Sequence, residues 1–191
     1  MIVGIDEVGR GPVAGPVVVC GMAFPPDFPV EIKGQLNDSK KLSKKKRELL
    51  EKILKDNNVI YYLAERPSQD IDKLGIAICL RQCVEEIVNH FICHYSQEEP
   101  YFILDGNQNY LNTTHGETRI KADASVPECM GASILAKVYR DNIMNNLHMI
   151  YDVYNWNANS GYGTKPHMNP ISNYGQTEYH RKSLLKKINK S

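Results

Sequence analysis

Acidic side chains recur in this chain where short apolar runs stop. Asp6 and Glu7 follow Ile2-Val3-Gly4-Ile5, Asp105 follows Phe102-Ile103-Leu104, and Asp123 follows Arg119-Ile120-Lys121-Ala122. A strand interior holds a carboxylate only at a considerable desolvation cost. At the ends of neighbouring strands several carboxylates can gather, and there their mutual repulsion raises their pKa values. A divalent cation removes that repulsion, and an all-oxygen donor set favours Mg²⁺ or Mn²⁺ over Zn²⁺. Two such ions ~4 Å apart would clamp a phosphodiester, activate a water and steady the leaving oxygen. One acid after a strand is usually an ordinary turn residue; three such strand ends in one chain favour a metal site.

Asp6 and Glu7 set a geometric problem, because adjacent strand residues point to opposite faces. Both can serve one site only if the strand twists or breaks there, and Gly9-Arg10-Gly11-Pro12 offers a reason to break. Glycines permit unusual φ and close approach of backbone to a ligand. Main-chain N–H and C=O groups in such a loop could bond a ribose 2′-hydroxyl, the group that distinguishes RNA from DNA. The alternative for a lone G-R-G is a plain turn.

The elements that must position these residues can be read in outline. Strands are expected at Met1 to Ile5, Val13 to Phe24, Val59 to Ala64, Tyr101 to Leu104 and Thr118 to Ala122. Ser43 is a plausible N-cap for a helix through about Asp56, with Leu49, Leu50, Ile53 and Leu54 on one face. Ile71 to Tyr95 reads as one helix with Leu74, Ile78, Val84, Ile87, Val88 and Phe91 inward. Ala132 to Ile150 reads as another, with Ile134, Leu135, Val138, Ile143 and Leu147 inward. Loop-forming residues follow Tyr151, then a short basic helix near His180 to Ile188. Strands first and then helices alternating with strands imply an α/β fold with a mixed sheet and helices on its faces. The 191 residues suit a single domain, in which about 155–191 would be a C-terminal appendage.

Composition narrows the classes. No apolar stretch reaches the ~18–20 residues needed to cross a bilayer, and the apolar start stops at Asp6, so neither a membrane anchor nor a secretory leader is expected. A soluble, cytoplasmic protein is the expectation. The five cysteines are odd in number and irregularly spaced, which points to buried thiols in a reducing compartment rather than disulfides. His90 and His94 lie four apart with Cys93 between them, but Phe91 stands where H-E-x-x-H needs its glutamate, so packed helix residues are favoured over zinc. The net charge of +1 is not that of a strongly basic binder. Basic residues do cluster at Lys40 to Arg47 and Arg181 to Lys190, either as two solvated helix faces or as phosphate contacts.

One stretch is far more specific. G-I-D-E-V-G-R-G-P-V-A-G-P-V-V at Gly4 to Val18 closely resembles the opening motif of the bacterial ribonuclease HII family. The resemblance continues through N-D-S-K-K-L-S at Asn37 to Ser43, I-L-D-G at Ile103 to Gly106 and K-A-D-A-S-V-P at Lys121 to Pro127. It ends with A-S-I-L-A-K-V-Y-R-D at Ala132 to Asp141, G-Y-G-T-K-P-H at Gly161 to His167 and H-R-K-S-L at His180 to Leu184. These blocks keep the family's order and span nearly the whole chain.

The resemblance implies a ribonuclease H-like fold, a five-stranded mixed sheet flanked by helices with a small helical C-terminal appendage. It implies an endonuclease that hydrolyses the RNA strand of RNA–DNA hybrids and cuts on the 5′ side of ribonucleotides embedded in duplex DNA. Asp6, Glu7, Asp105 and Asp123 match the family's catalytic, metal-binding carboxylates. Gly9, Arg10 and Gly11 match the loop that reads the 2′-hydroxyl. Tyr162 matches the tyrosine that stacks on the neighbouring deoxyribose, and Lys40 matches a basic residue near substrate phosphate. Two divalent ions, Mg²⁺ or Mn²⁺, are implied, with hybrid duplexes and ribonucleotide-containing DNA as partners and a monomer as the default state. Asp141 falls within a helix block and is left out of the site. The family often has two alanines before the serine of A-S-I-L-A-K; here Gly131 and Ala132 precede Ser133, a change expected to cost up to ~1 kcal/mol of helix stability. The rivals are an inactive duplex-binding module, which the four carboxylates argue against, and ribonuclease HIII. The latter carries an extra N-terminal domain, whereas here the first catalytic strand is expected to begin at residue 2.

Overall fold

A computed structural model describes residues 1–37 and 39–188, with the side chains of residues 40, 187 and 188 outside the description. Five strands, β1 (Ile2–Val8), β2 (Val17–Ala23), β3 (Ile60–Arg66), β4 (Tyr101–Asp105) and β5 (Gly116–Arg119), form one sheet in the order β3-β2-β1-β4-β5. β3, β2 and β1 are antiparallel neighbours, whereas β1–β4 and β4–β5 are parallel. The helices are α1 (Val30–Lys33), α2 (Lys44–Asp56), α3 (Ser68–Leu74), α4 (Ile76–His94), α5 (Pro127–Ile150), α6 (Trp156–Asn159), α7 (Lys165–Tyr174) and α8 (Lys182–Ile188). This is the expected ribonuclease H-like mixed sheet with flanking helices.

The period-2 alternation of the strands divides the core into two layers. Val3, Ile5, Val17, Val19 and Leu104 pack with Cys83, Val84, Ile87 and Phe91 of α4 on one face. Val18, Cys20 and Met22 pack on the other with Leu50 and Leu54 of α2 and Ala132, Leu135 and Ala136 of α5. Gly4 lets α5 ride close over β1: a Cβ there would lie 2.3 Å from the backbone nitrogen of Cys129.

Several boundaries differ from the sequence reading for local reasons. β1 does not stop at Ile5; its antiparallel pairing with β2 continues to Val8 opposite Val18, so Asp6 and Glu7 are strand residues. β2 begins at Val17, because Val13–Pro16 bonds instead to the C-terminal segment. The fifth strand is Gly116–Arg119 rather than Thr118 to Ala122, and Lys121 then takes a left-handed conformation (φ 59°). The 71–95 helix is two helices parted at Gly75 (φ 85°), which leaves Leu74 and Ile78 exposed. α5 starts at Pro127, where proline's fixed φ suits a first turn. Gly131 is therefore inside the helix, and a Cβ on it would meet Met22 Sδ at 2.4 Å. Its absence of a side chain is a packing requirement and not merely a weak helix start. The Ser43 hydroxyl caps α2, accepting from the Lys46 N–H at 3.3 Å, though Leu49 is exposed. Loop-like sequence after Tyr151 conceals α6 and α7. All five cysteines are free thiols, and Cys93 is exposed while the other four are buried.

Candidate active site

The last residue pair between parallel strands β1 and β4 is Ile5 opposite Leu104, so Asp6 and Asp105 emerge side by side just beyond it. Asp123 arrives from a 3₁₀ turn, Ala122–Ala124, between β5 and α5, not from a strand end as the sequence suggests. Carboxylate oxygens of these three residues lie within 4.8 Å of one another. Asp105 ties the turn down: its Oδ1 accepts the N–H groups of Ala122 at 2.6 Å and Asp123 at 3.4 Å. Asp6 and Asp123 are buried and Asp105 is half-buried.

Asp6 is opposite Cys20, on the α5 face of the sheet, and Glu7 is opposite Val19, on the α4 face. The strand alternation therefore persists, and Glu7 falls outside the three-carboxylate group. Its side chain is partly exposed, with Oε1 3.9 Å from the Arg10 guanidinium. Burial holds the Asp6 carboxyl well above the usual carboxylate range, and the charges of Glu7 and Asp105 push it further. A hydrogen bond with the Ser133 hydroxyl and the Glu7 N–H, 2.7 Å from Oδ1, only partly offset this. An all-oxygen cluster of three converging carboxylates is the chemistry a hard divalent cation fits.

Gly9 (φ 89°) ends β1 and begins the loop. A Cβ built there would strike Arg140 Nε at 2.3 Å and the Pro16 carbonyl at 2.7 Å. Arg10 is exposed, its NH2 3.5 Å from Gln108 Oε1 of the loop between β4 and β5. Tyr162 is 47% exposed and faces Gly11, where a Cβ would sit 3.7 Å from the tyrosine ring. The structure thus gathers Asp6, Asp105 and Asp123, with Glu7 at the rim, and sets Gly11 against Tyr162. Lys40 belongs to the 3₁₀ turn Ser39–Lys41, but its side chain lies outside the described residues. That turn reaches the site indirectly, since Ser39 Oγ and Ser133 Oγ are 2.7 Å apart. Asp141 is engaged elsewhere, by Lys137 at 2.6 Å, the Ser160 hydroxyl at 3.3 Å and Arg47 at 3.8 Å.

Sequence reading missed the polar core beneath the loop. Arg140 and Arg181 are fully buried and donate to main-chain carbonyls. Beside them Trp156 Nε1 donates to His167 Nε2 at 2.9 Å, and His167 Nδ1 bonds the Tyr162 carbonyl at 2.9 Å. His180 completes the cluster, 3.2 Å from His167 Nε2, with its Nδ1 accepting the Thr177 N–H at 2.9 Å. A signal was available: Arg140 falls on the inward stripe of α5, four residues from both Ala136 and Met144.

A mixed sheet that gathers three carboxylates beside its parallel β1–β4 pair defines a protein of the ribonuclease H-like class with a site suited to a divalent cation. Residues 3–188 match the family model for ribonuclease HII. The ribonuclease HII of Helicobacter pylori (strain G27) is 40% identical over 98% of this chain and 92% of its own. That of Campylobacter concisus is 42% identical over 96% and 92%. Among solved structures, the Archaeoglobus fulgidus ribonuclease HII in its PCNA complex superposes with a TM-score of 0.77 at 24% identity, covering 95% of this chain and 94% of that one. Ribonuclease HIII in complex with Mn²⁺ gives 0.65 at 18% identity, covering 79% and 55%. The chain belongs to the ribonuclease HII family: it is a metal-dependent endoribonuclease acting on the RNA of RNA–DNA hybrids.

Proposed function

We propose that this enzyme also cuts on the 5′ side of ribonucleotides embedded in duplex DNA, by phosphodiester hydrolysis with two divalent cations. The observation that supports this reading is that the loop following directly on Asp6 and Glu7 in β1 packs Gly11 against the Tyr162 ring. Asp6, Asp105 and Asp123, with Glu7 at the edge, would hold the ions, Mg²⁺ or Mn²⁺. Bound there, the cations supply Lewis acidity toward the phosphate and lower the pKa of a coordinated water. Main-chain groups of Gly9, Arg10 and Gly11 contact the 2′-hydroxyl, which is read and not used as nucleophile. Tyr162 stacks on the adjoining deoxyribose, and Lys40 meets a phosphate. A water oxygen forms the new bond to phosphorus as the P–O3′ bond breaks, which leaves a 3′-hydroxyl and a 5′-phosphate on the ribonucleotide fragment.

No helix among the described residues is long and apolar enough to cross a membrane; that the enzyme is monomeric and cytoplasmic is part of the same proposal. The tail from about residue 155 is read as an appendage of one catalytic domain, and it shares a buried cluster with α5 through Trp156, Tyr154, Met144 and Leu147. The test is cleavage of end-labelled duplexes carrying one, four or all ribonucleotides, with Mg²⁺, Mn²⁺ or EDTA. Metal-dependent incision at the 5′ side of a lone ribonucleotide is expected; cleavage confined to long RNA runs overturns the proposal.

A further inference from the structure

Two buried guanidinium groups hold the loop that follows β1 by its main-chain carbonyls. Arg140 of α5 donates from Nε to the Pro16 carbonyl at 2.8 Å, from NH2 to Ala14 at 3.1 Å and from NH1 to Ser160 at 2.9 Å. Arg181 donates to Gly9 at 2.7 Å, to Arg10 at 3.1 Å and twice to Gly15 at 3.0 and 2.8 Å. Backbone bonds close the same clasp from outside: Val13 and Ala14 N–H donate to Gly161 at 2.9 and 3.2 Å, and Arg181 N–H donates to Val13 at 2.7 Å. Both guanidiniums are fully buried. A charged group is kept in such a place only when its donors are satisfied, and a planar fork of five N–H groups can hold several carbonyls in fixed directions where a lysine cannot. Arg140 bonds the loop and the segment two residues before Tyr162 with one rigid plane.

We propose that Arg140 and Arg181 are positioning residues that lock the Gly9–Pro16 loop to the Tyr162 segment, so that the two contacts form one rigid gauge for a ribonucleotide and its deoxyribose neighbour. This rests on the reading of the loop and Tyr162 given under Proposed function. It predicts a specificity role at a distance: neither side chain needs to touch the substrate, yet each fixes the spacing at which substrate is read.

The experiment compares wild type with Arg140→Lys and Arg181→Ala on duplexes carrying one or four ribonucleotides, at saturating Mg²⁺. For Arg140→Lys the single-to-four ratio of kcat/KM should fall by about 10- to 100-fold, the scale of a misplacement near 1 Å, with the Mg²⁺ concentration at half-maximal rate unchanged. For Arg181→Ala, millimolar guanidinium should restore part of the rate on the single-ribonucleotide duplex. An unchanged ratio, or equal loss on both duplexes with a shifted Mg²⁺ requirement, overturns the gauge. Hydrogen exchange on wild type decides the clasp without any variant: Val13, Ala14 and Gly15 amides should exchange as slowly as those of β1, and fast exchange overturns it. If wild type fails to cut at a lone ribonucleotide, the functional reading falls, while the exchange result still judges the clasp.

Discussion

The carboxylate cluster and the polar core under the Gly9–Pro16 loop are both buried, both rich in titratable groups, and both packed against α5, yet they treat charge in opposite ways. Burial first, and then the like charges of Glu7 and Asp105, push the Asp6 carboxyl toward protonation, and the hydrogen bonds it receives only partly offset this. Around Arg140 and Arg181 no carboxylate is needed. Carbonyl dipoles meet the guanidiniums, and burial lowers them only to about 10 and about 9, so both stay charged at neutral pH. His167 and His180 are likewise matched by neutral partners, and burial holds both below the ordinary imidazole range. One region is satisfied by its own hydrogen bonds; the other has the donor set a divalent cation suits. That contrast separates the part proposed to perform chemistry from the part that holds shape.

The largest expected effect breaks the first region. Asp6→Asn should lower Mg²⁺-dependent cleavage by roughly a thousandfold, about 4 kcal/mol of transition-state stabilisation. In EDTA the same variant should melt higher than wild type by about 2–4 °C, a gain near 1 kcal/mol, because a carboxylate that burial and then its acidic neighbours disfavour is gone. Near wild-type cleavage would sink the catalytic assignment, and a lower melting point in EDTA would sink the claim that burying this carboxylate destabilises the fold.

The second region should fail with acid. His180 is neutral in the native state, with its pKa pushed down to about 4, chiefly by burial and then by His167. In the unfolded chain it titrates near its ordinary ~6.5. Between those values the unfolded state binds the extra proton, so stability is fully present above pH ~6.5 and is lost as pH falls toward 4. The loss attributable to His180 is on the order of 3 kcal/mol. Urea unfolding of wild type and His180→Gln across pH 7 to 4.5 checks it: the variant should show a visibly shallower slope, and parallel slopes would contradict the assignment.

How far the sequence alone reached follows the same division. The convergent carboxylates were legible because an acid after an apolar run is a local pattern, even though Asp6 lies within β1 and Asp123 on a 3₁₀ turn. That Glu7 stands apart from the other three was foreshadowed by strand alternation, but resolving it required the register opposite Val19. The hold of Arg140 and Arg181 on the loop was hidden because those bonds join residues more than a hundred positions apart, as between Arg181 and Gly9. No window of sequence contains both partners. Helix breaks at Gly75 and the helical character of 165–174 were also hidden, since left-handed glycines and internal prolines look the same in loops.

Tyr162→Ala probes where the two regions meet the substrate. It should reduce the preference for a lone ribonucleotide over a continuous hybrid by about tenfold, near 1.4 kcal/mol, without moving the Mg²⁺ requirement. The tyrosine is anchored through its carbonyl to His167, so its removal leaves that buried network intact. Equal selectivity in both proteins would detach Tyr162 from junction reading.

The smallest effect tests the helix that serves both regions. α5 carries Ser133 beside Asp6 and Arg140 beneath the loop, and Gly131 fixes how closely its first turns approach Met22. Gly131→Ala gains up to ~1 kcal/mol of helix propensity but forces a methyl against a fully buried thioether, a strain of about 1–3 kcal/mol. A net loss near 1 kcal/mol is expected, seen as a melting point about 2–4 °C lower. Because Ser133 is two residues from Gly131 and Arg140 is nine, ~13 Å along the axis, the displacement should disturb the carboxylate end first. A modest rise in the Mg²⁺ concentration at half-maximal rate, with the single-to-four ribonucleotide ratio unchanged, would fit two regions that share a helix but not a tolerance. The reverse pattern would mean that α5 moves as one rigid rod and that the two regions are coupled through it.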